Sequence, residues 1–204
     1  MPFFHRDLTD EELVGFTDQE LIGRIAEGEP RAFDELYRRY SRRLLHYFAR
    51  MLGAEKAQDF LQELFLKVIE KAASFAADGS FSTWAFSIAH NMCCNEYRYM
   101  AVRRDTVATD IDQLLPTEAH SGIERRLDHA AFVESLIAEL EGLDQVKRST
   151  FLLRFQEEFS IDDIARIMNC SAGTVKSRLF YTTRLLAERL KAFHPCLDEE
   201  NQYE

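Results

Sequence analysis

A run of hydroxyls and cations between Ser171 and Arg184 has the types and spacing that read DNA. Ser171, Gly173, Thr174, Lys176, Ser177 and Arg178 open the run and Arg184 closes it. Arg178 carries a planar guanidinium fork, whereas Lys176 carries a compact ammonium group. Such groups work only when a rigid element carries them into a groove. Ser171 stands at an N-cap position, and Val175, Leu179 and Leu186 recur on the inner side of the helix it opens. Just upstream, Ser160 with Asp163 three residues later forms a capping-box pattern, and Ile161, Ile164, Ala165 and Met168 follow at helical spacing. Asn169-Cys170 breaks that helix, Asn being a residue that tolerates a left-handed helix end. Small Ala165 sits where two crossing helices approach closely. The pair is a helix-turn-helix whose second helix lies in a major groove. An ordinary helical hairpin is the plain alternative; two capped starts and a basic second helix favour DNA.

The elements that position this motif are helical along the whole chain. Gly and Pro number 8 and 4 in 204 residues, 46% of residues are hydrophobic, and strand-like alternation is hard to find. The expected fold class is all-α, as two small helical domains joined by a flexible acidic linker. No apolar run is long enough to span a bilayer and no signal-peptide pattern opens the chain, which predicts a cytoplasmic protein with no membrane insertion. Cys93, Cys94, Cys170 and Cys196 lack paired metal-site spacing, so reduced thiols are expected. The net charge of −10 is unevenly placed. Acids load the N-terminus, the stretch from Asp105 to Glu124, and the tail, while bases gather in 31–50, 98–104 and 176–191. Local patches, not the total, decide phosphate binding.

The spacing predicts an N-terminal extension over 1–17, a first domain over 18–104, a linker over 105–122, a second domain over 123–193 and an acidic tail over 194–204. In the first domain Phe33, Leu36, Tyr37, Tyr40, Leu44, Leu45, Phe48 and Leu52 form an apolar stripe, with Arg38, Arg39, Arg42, Arg43 and Arg50 around it. A second helix is expected over 57–73 and a third from 82 to about 103, with a turn at Asp78-Gly79-Ser80 between them. In the second domain Leu127, Phe132, Leu136, Leu140 and Leu143 precede a helix capped by Asp144, with Val146, Phe151, Leu152 and Phe155 turned inward.

The segment 59–71 has two faces at about 100° per residue. Phe60, Leu61, Leu64, Phe65, Val68 and Ile69 make the core face. Asp59, Gln62, Glu63, Leu66 and Glu70 make the other, an acidic surface with one apolar residue in its midst. It repels phosphate and suits a basic protein helix. A merely solvated face is the alternative, and Leu66 tilts the reading towards an interface.

DFLQELFLKVIEKAASF, FSTWAFSIAHN and LDQVKRSTFLLRFQEEFSIDDIARIMNCSAGTVKSRL resemble regions 2.2, 2.3 and 4 of bacterial extracytoplasmic-function sigma factors, in order and spacing, over about residues 18–190. The resemblance implies a region 2 bundle followed by a region 4 helix-turn-helix, in a factor that binds core RNA polymerase, directs it to promoter DNA and helps open the duplex. It implies that Asp59, Gln62, Glu63 and Leu66 dock on the clamp helices of the β′ subunit, with the β flap as a further contact. It places Phe75, Ser80, Phe81, Ser82, Thr83, Trp84, Asn91, Arg98, Arg103 and Arg104 at the −10 element, the aromatics to stack on exposed bases and the arginines to meet phosphates. Trp84 and Phe86 have a core reading of equal weight. It assigns the Ser171–Arg184 set above to the −35 element, Arg178 to bind guanine in bidentate fashion and Lys176 to meet a phosphate, with Arg154 supporting the backbone from the preceding helix. An anti-sigma factor is an implied partner; no catalytic residue, cofactor or metal is.

Two departures stand out. Phe180-Tyr181-Thr182-Thr183 occupies a stretch where the family often has an Arg-Ala-Arg-like run, which removes phosphate contacts. Asn95-Glu96 stands where an Asp-plus-aromatic pair is common, so the −10 preference does not transfer. The acidic linker either mimics RNA charge in the polymerase cleft or serves solubility. A helix-turn-helix repressor or activator would need a dimerisation surface or ligand pocket that the arginines and acidic face do not suggest. An enzyme is a remote third reading, for no phosphate-binding glycine loop or nucleophile motif is present. His90-x-x-Cys93-Cys94 invites a metal or thiol sensor, but adjacent cysteines on a helix diverge.

Overall fold

The computed structural model describes residues 13–75, 79–106 and 125–193, the side chains of 104–106 and 125–130 excepted. Among these residues all regular structure is helical. Thr17 opens α1 (Asp18–Ala26) with a capping box: its hydroxyl accepts from the Glu20 amide while the Glu20 carboxylate accepts from the Thr17 amide at 2.7 Å. Pro30 at the first position starts α2 (Pro30–Leu52). Gly53, at φ +90°, is the whole connection between α2 and α3 (Ala54–Lys71). A side chain there would be strained, so glycine makes this abrupt reversal possible. It also explains why α3 begins earlier than its apolar period predicts. A 3-10 turn (Ala72–Ser74) leads towards α4 (Phe81–Thr106).

The second half holds α5 (Arg125–Glu141), α6 (Gln145–Phe155), α7 (Ile161–Ile167) and α8 (Ala172–Arg189). Asp144 caps α6 by accepting from the amides of Val146 and Lys147 at 3.1 and 3.0 Å, as its spacing predicts. Glu139 ties α5 to Arg189 of α8 at 2.7 Å, and the Phe132 and Phe193 rings meet edge to face at 5.8 Å. Helix α4 continues to Thr106 and so takes in two residues assigned to the linker; 107–122, residues 1–12, the tail from 194 and the side chain of Leu127 lie outside the described residues.

The core of the first half is built on α2. Leu36, Leu44 and Phe48 are fully buried in one core with Leu61 and Leu64 of α3 and Phe81 and Phe86 of α4. Edge-on ring contacts join these helices, with Tyr40 on Phe81 at 4.9 Å and Phe48 on Phe60 at 5.7 Å. The arginines of α2 are largely committed within the protein. Buried Glu35 accepts from Arg38 and Arg39, both at 2.7 Å, and Arg39 also reaches Asp18 at 2.9 Å. The Arg38 fork, with Arg39 beside it, holds the Glu35 carboxyl down at about 2.

Two sequence assignments to the interior are corrected. Ile69 is 46% exposed, because it lies at the edge of the wheel and turns out beside Leu66. Phe155 is 54% exposed: it sits in the last turn of α6, where its ring packs on Phe151 at 4.6 Å instead of entering the core.

The two halves dock on one another. Ser149 of α6 is fully buried, and its hydroxyl bridges the Tyr47 hydroxyl at 2.8 Å and the His90 Nδ1 at 2.9 Å. Arg43 donates to the Glu157 carboxylate at 2.9 Å and to its carbonyl at 3.1 Å, with the guanidinium 5.5 and 5.9 Å from the centres of the Phe86 and Phe159 rings. Those two rings meet edge to face at 5.1 Å. Arg148 crosses from α6 to the C-terminus of α2, donating to the Met51 carbonyl at 3.3 Å and to the Tyr97 hydroxyl at 3.2 Å. The elbow between α6 and α7 that presents Glu157 and Phe159 turns through Glu158, at φ +60°.

Candidate nucleic-acid and polymerase interface

The helix-turn-helix forms as its caps predict. The Ser160 hydroxyl accepts from the Asp163 amide at 3.1 Å and donates to its carboxylate at 2.5 Å. Asn169 takes φ +49°, and the Cys170 amide donates to the Ala165 carbonyl at 3.0 Å to close the turn. The Ser171 hydroxyl accepts from the Thr174 amide at 3.1 Å, so its work is to start α8. Val175 and Leu186 anchor the inner side of α8. Gly173, Lys176, Ser177, Phe180, Tyr181 and Arg184 are exposed along its outer side over about three turns, and Thr174 is half-buried at the edge.

Arg178 departs from its expected place. It lies about 100° around the helix from Ser177. The residue is half-buried and its Nη1 reaches the Cys170 sulfur at 3.6 Å. The fork assigned to guanine is therefore turned off the outer face of α8. Arg154 is exposed and donates to the Phe159 carbonyl at 2.9 Å, steadying the elbow.

On α4 the expected −10 residues divide. Phe75, Phe81 and Trp84 form one aromatic cluster, with Trp84 5.2 Å from Phe75 and 5.9 Å from Phe81. Phe81 is 1% exposed, and in this conformation it is core rather than a stacking surface. Phe75 and Trp84 are half-buried, and Phe86 is fully buried. The Ser80 hydroxyl meets the Ser82 hydroxyl at 2.8 Å and accepts from the Thr83 amide at 3.4 Å, capping the start of α4. Thr83 is buried; its hydroxyl donates to Asp163 of α7 at 3.2 Å, so the helix-turn-helix covers it. Asn91, Arg98 and Arg103 are exposed, and Arg104 lies on the same helix with its side chain outside the described residues. Tyr99 and Val102 are also exposed here, and the Arg103 guanidinium lies 5.6 Å from the Tyr99 ring. Tyr99 was passed over in the sequence, though an aromatic between Arg98 and Arg103 was there to be seen.

On α3, Asp59, Gln62, Glu63 and Leu66 are all exposed and share one side of the helix. Lys67 partly neutralises Glu63 at 3.0 Å. Leu66 is 61% exposed and, with Ile69, makes an apolar spot within the acidic surround.

The histidine–cysteine segment has a different character. Burial, with the nearby Arg178 charge adding to it, pushes the His90 imidazole down to about 4. Burial pushes the thiols of Cys93 and Cys94 up, so they stay protonated at neutral pH. No group of three or more metal-ligating side chains occurs among the described residues, nor any helix long and apolar enough to cross a membrane.

The profile of Sigma-70 region 2 matches residues 36–102, and that of Sigma-70, region 4 matches 134–180. The chain is 32% identical over 189 residues to the RNA polymerase sigma-H factor of Pseudomonas aeruginosa, covering 89% of this chain and 96% of that one. It is 30% identical over 172 residues to the ECF RNA polymerase sigma-E factor of Escherichia coli, covering 80% and 89% respectively. Its fold superposes on CnrH, solved in complex with the cytosolic domain of CnrY, with a TM-score of 0.62 and 25% identity over 86% of this chain and 97% of that one. The chain thus carries both regions of a promoter-directed transcription initiation factor and belongs to the extracytoplasmic-function sigma factors of bacterial RNA polymerase.

Proposed function

We propose that α3 docks this factor on the clamp helices of the polymerase β′ subunit through Asp59, Gln62, Glu63 and Leu66, with Ile69 extending the contact. The observation that carries this is the apolar spot of Leu66 and Ile69 on an otherwise acidic, exposed helix face. An acidic rim repels DNA and steers a basic protein partner, while two exposed aliphatic side chains supply the area that a stable contact buries. The second half contacts the β flap and carries α8 to the −35 element. Helix α4 meets the −10 element with Asn91, Arg98, Arg103 and Arg104, joined by Ser80, Ser82 and Trp84 once α7 moves off Thr83. The factor acts in the cytoplasm, as a binding protein and not a catalyst.

An anti-sigma factor is the natural regulator. CnrH is solved with the cytosolic domain of CnrY, and a Bartonella quintana sigma factor of the same fold, RpoE, is solved with the anti-sigma factor NepR. A partner of that kind fits the α3 face, in competition with polymerase. The test is charge reversal on that face: Glu63→Arg, at an exposed position, weakens capture of purified core polymerase and abolishes promoter-specific run-off transcripts while the helical circular dichroism stays intact. Unchanged core capture would place the docking surface elsewhere.

A further inference from the structure

The outer side of α8 carries an exposed aromatic pair in the middle of its two cations. Phe180 and Tyr181 are 59% and 64% exposed, and their rings meet edge to face at 5.4 Å, interplanar angle 78°. Single exposed apolar residues are ordinary on a soluble protein. Two large rings braced against each other on one recognition helix are not, since each leaves most of its apolar surface in water. Lys176 and Ser177 lie one turn before the pair and Arg184 one turn after it. With Arg178 turned towards Cys170, the central part of this side holds no guanidinium fork.

The groups left there define what they can read. Base edges in the major groove offer hydrogen-bond donors and acceptors and a single apolar feature, the C5-methyl group of thymine. A phenylalanine ring cannot hydrogen-bond a base edge, but it packs on that methyl. Tyr181, set against it, fixes the ring's orientation and costs little conformational entropy, having few rotatable bonds. Lys176 and Arg184, one on each flank, meet phosphates and hold the register.

Resting on the reading of α8 as the −35 helix, we infer that Phe180, braced by Tyr181, is a specificity-determining residue that selects thymine in the −35 element through its methyl group. The substituted aromatic stretch thereby trades phosphate contacts for an apolar contact, which favours sequence discrimination over general affinity for DNA.

The test uses holoenzyme assembled from the full chain and core polymerase. A duplex library randomised upstream of a fixed −10 segment is selected for binding, and each thymine of the enriched upstream motif is then replaced singly by uracil, which lacks only the methyl. Loss of one buried methyl contact predicts about fourfold weaker binding at one or two positions. With Phe180→Ala holoenzyme the thymine-to-uracil ratio at those positions falls to one. Equal binding of thymine and uracil duplexes by the unaltered factor overturns the inference while leaving the −35 reading in place, as does a methyl effect that survives Phe180→Ala. A library that shows no upstream enrichment at all overturns both.

Discussion

Ser149→Ala removes one oxygen and strands two partners. In the docked protein that oxygen bridges the Tyr47 hydroxyl and the His90 Nδ1, and all three groups are buried. Water cannot replace the lost bond while the halves remain together. A buried polar group left unpaired costs about 1–3 kcal/mol, so two of them weaken docking by about 3 kcal/mol, roughly a hundredfold in the docking equilibrium. In the undocked protein both groups regain water, so the penalty falls on the docked state alone. The assay places a donor dye at Glu70 of α3 and an acceptor at Glu188 of α8, both exposed, and follows energy transfer as urea separates the halves. The undocking free energy extrapolated to water should fall by about 3 kcal/mol. Adding Tyr47→Phe to Ser149→Ala removes one of the two stranded groups, so the double variant should recover part of the loss. A change below about 1 kcal/mol for Ser149→Ala, or strictly additive losses in the pair, would refute the bridging role.

Docking should also weaken in acid. The undocked His90 takes up a proton near its ordinary value of 6.5, whereas the docked imidazole resists it down to about 4. The undocked state therefore binds more protons between those values; docking is at full strength above pH 6.5 and declines as pH falls towards 4, by about 1.4 kcal/mol at pH 5.5. The same energy-transfer titration run across that range checks the sign, and His90→Gln should flatten this part of the profile. Leu66→Asp puts a charge in the apolar spot of α3 without touching the core, and should weaken core polymerase binding about tenfold or more in a competition assay, with thermal stability unchanged. Tyr181→Arg restores a phosphate-facing cation; the slope of log affinity against log salt for upstream DNA should steepen by about 0.9.

Local features of the fold were legible because their physics is local. Ser160, Ser171 and Asp144 each bond an amide two or three residues away, and Asn169 relieves its own backbone, so a few letters suffice to place them. The acidic face of α3 followed from helical period alone. Ile69 was misplaced because the wheel gives an angle and not the width of the groove between α2 and α3. Arg178 was misplaced for a related reason: next to Ser177 in sequence, it lies a quarter-turn away in space, near Cys170. Docking of the halves had no local signature at all. Tyr47, His90 and Ser149 are ordinary polar letters until residues 59 and 102 positions apart meet, and Arg43 was one of several arginines around an apolar stripe until Glu157 claimed it.

The way α7 lies over α4 bears on the order of events. The acidic face of α3 stands open while the Thr83 hydroxyl is held by Asp163. On the proposed assignments polymerase meets a ready surface, whereas DNA meets an α4 whose start is covered at Thr83. Capture of polymerase should run at a rate set by encounter, rising in proportion to its concentration. Engagement of the −10 strand should instead inherit the rate at which the halves part, and level off however much promoter is supplied. The closed arrangement acts as a clock placed between assembly and opening.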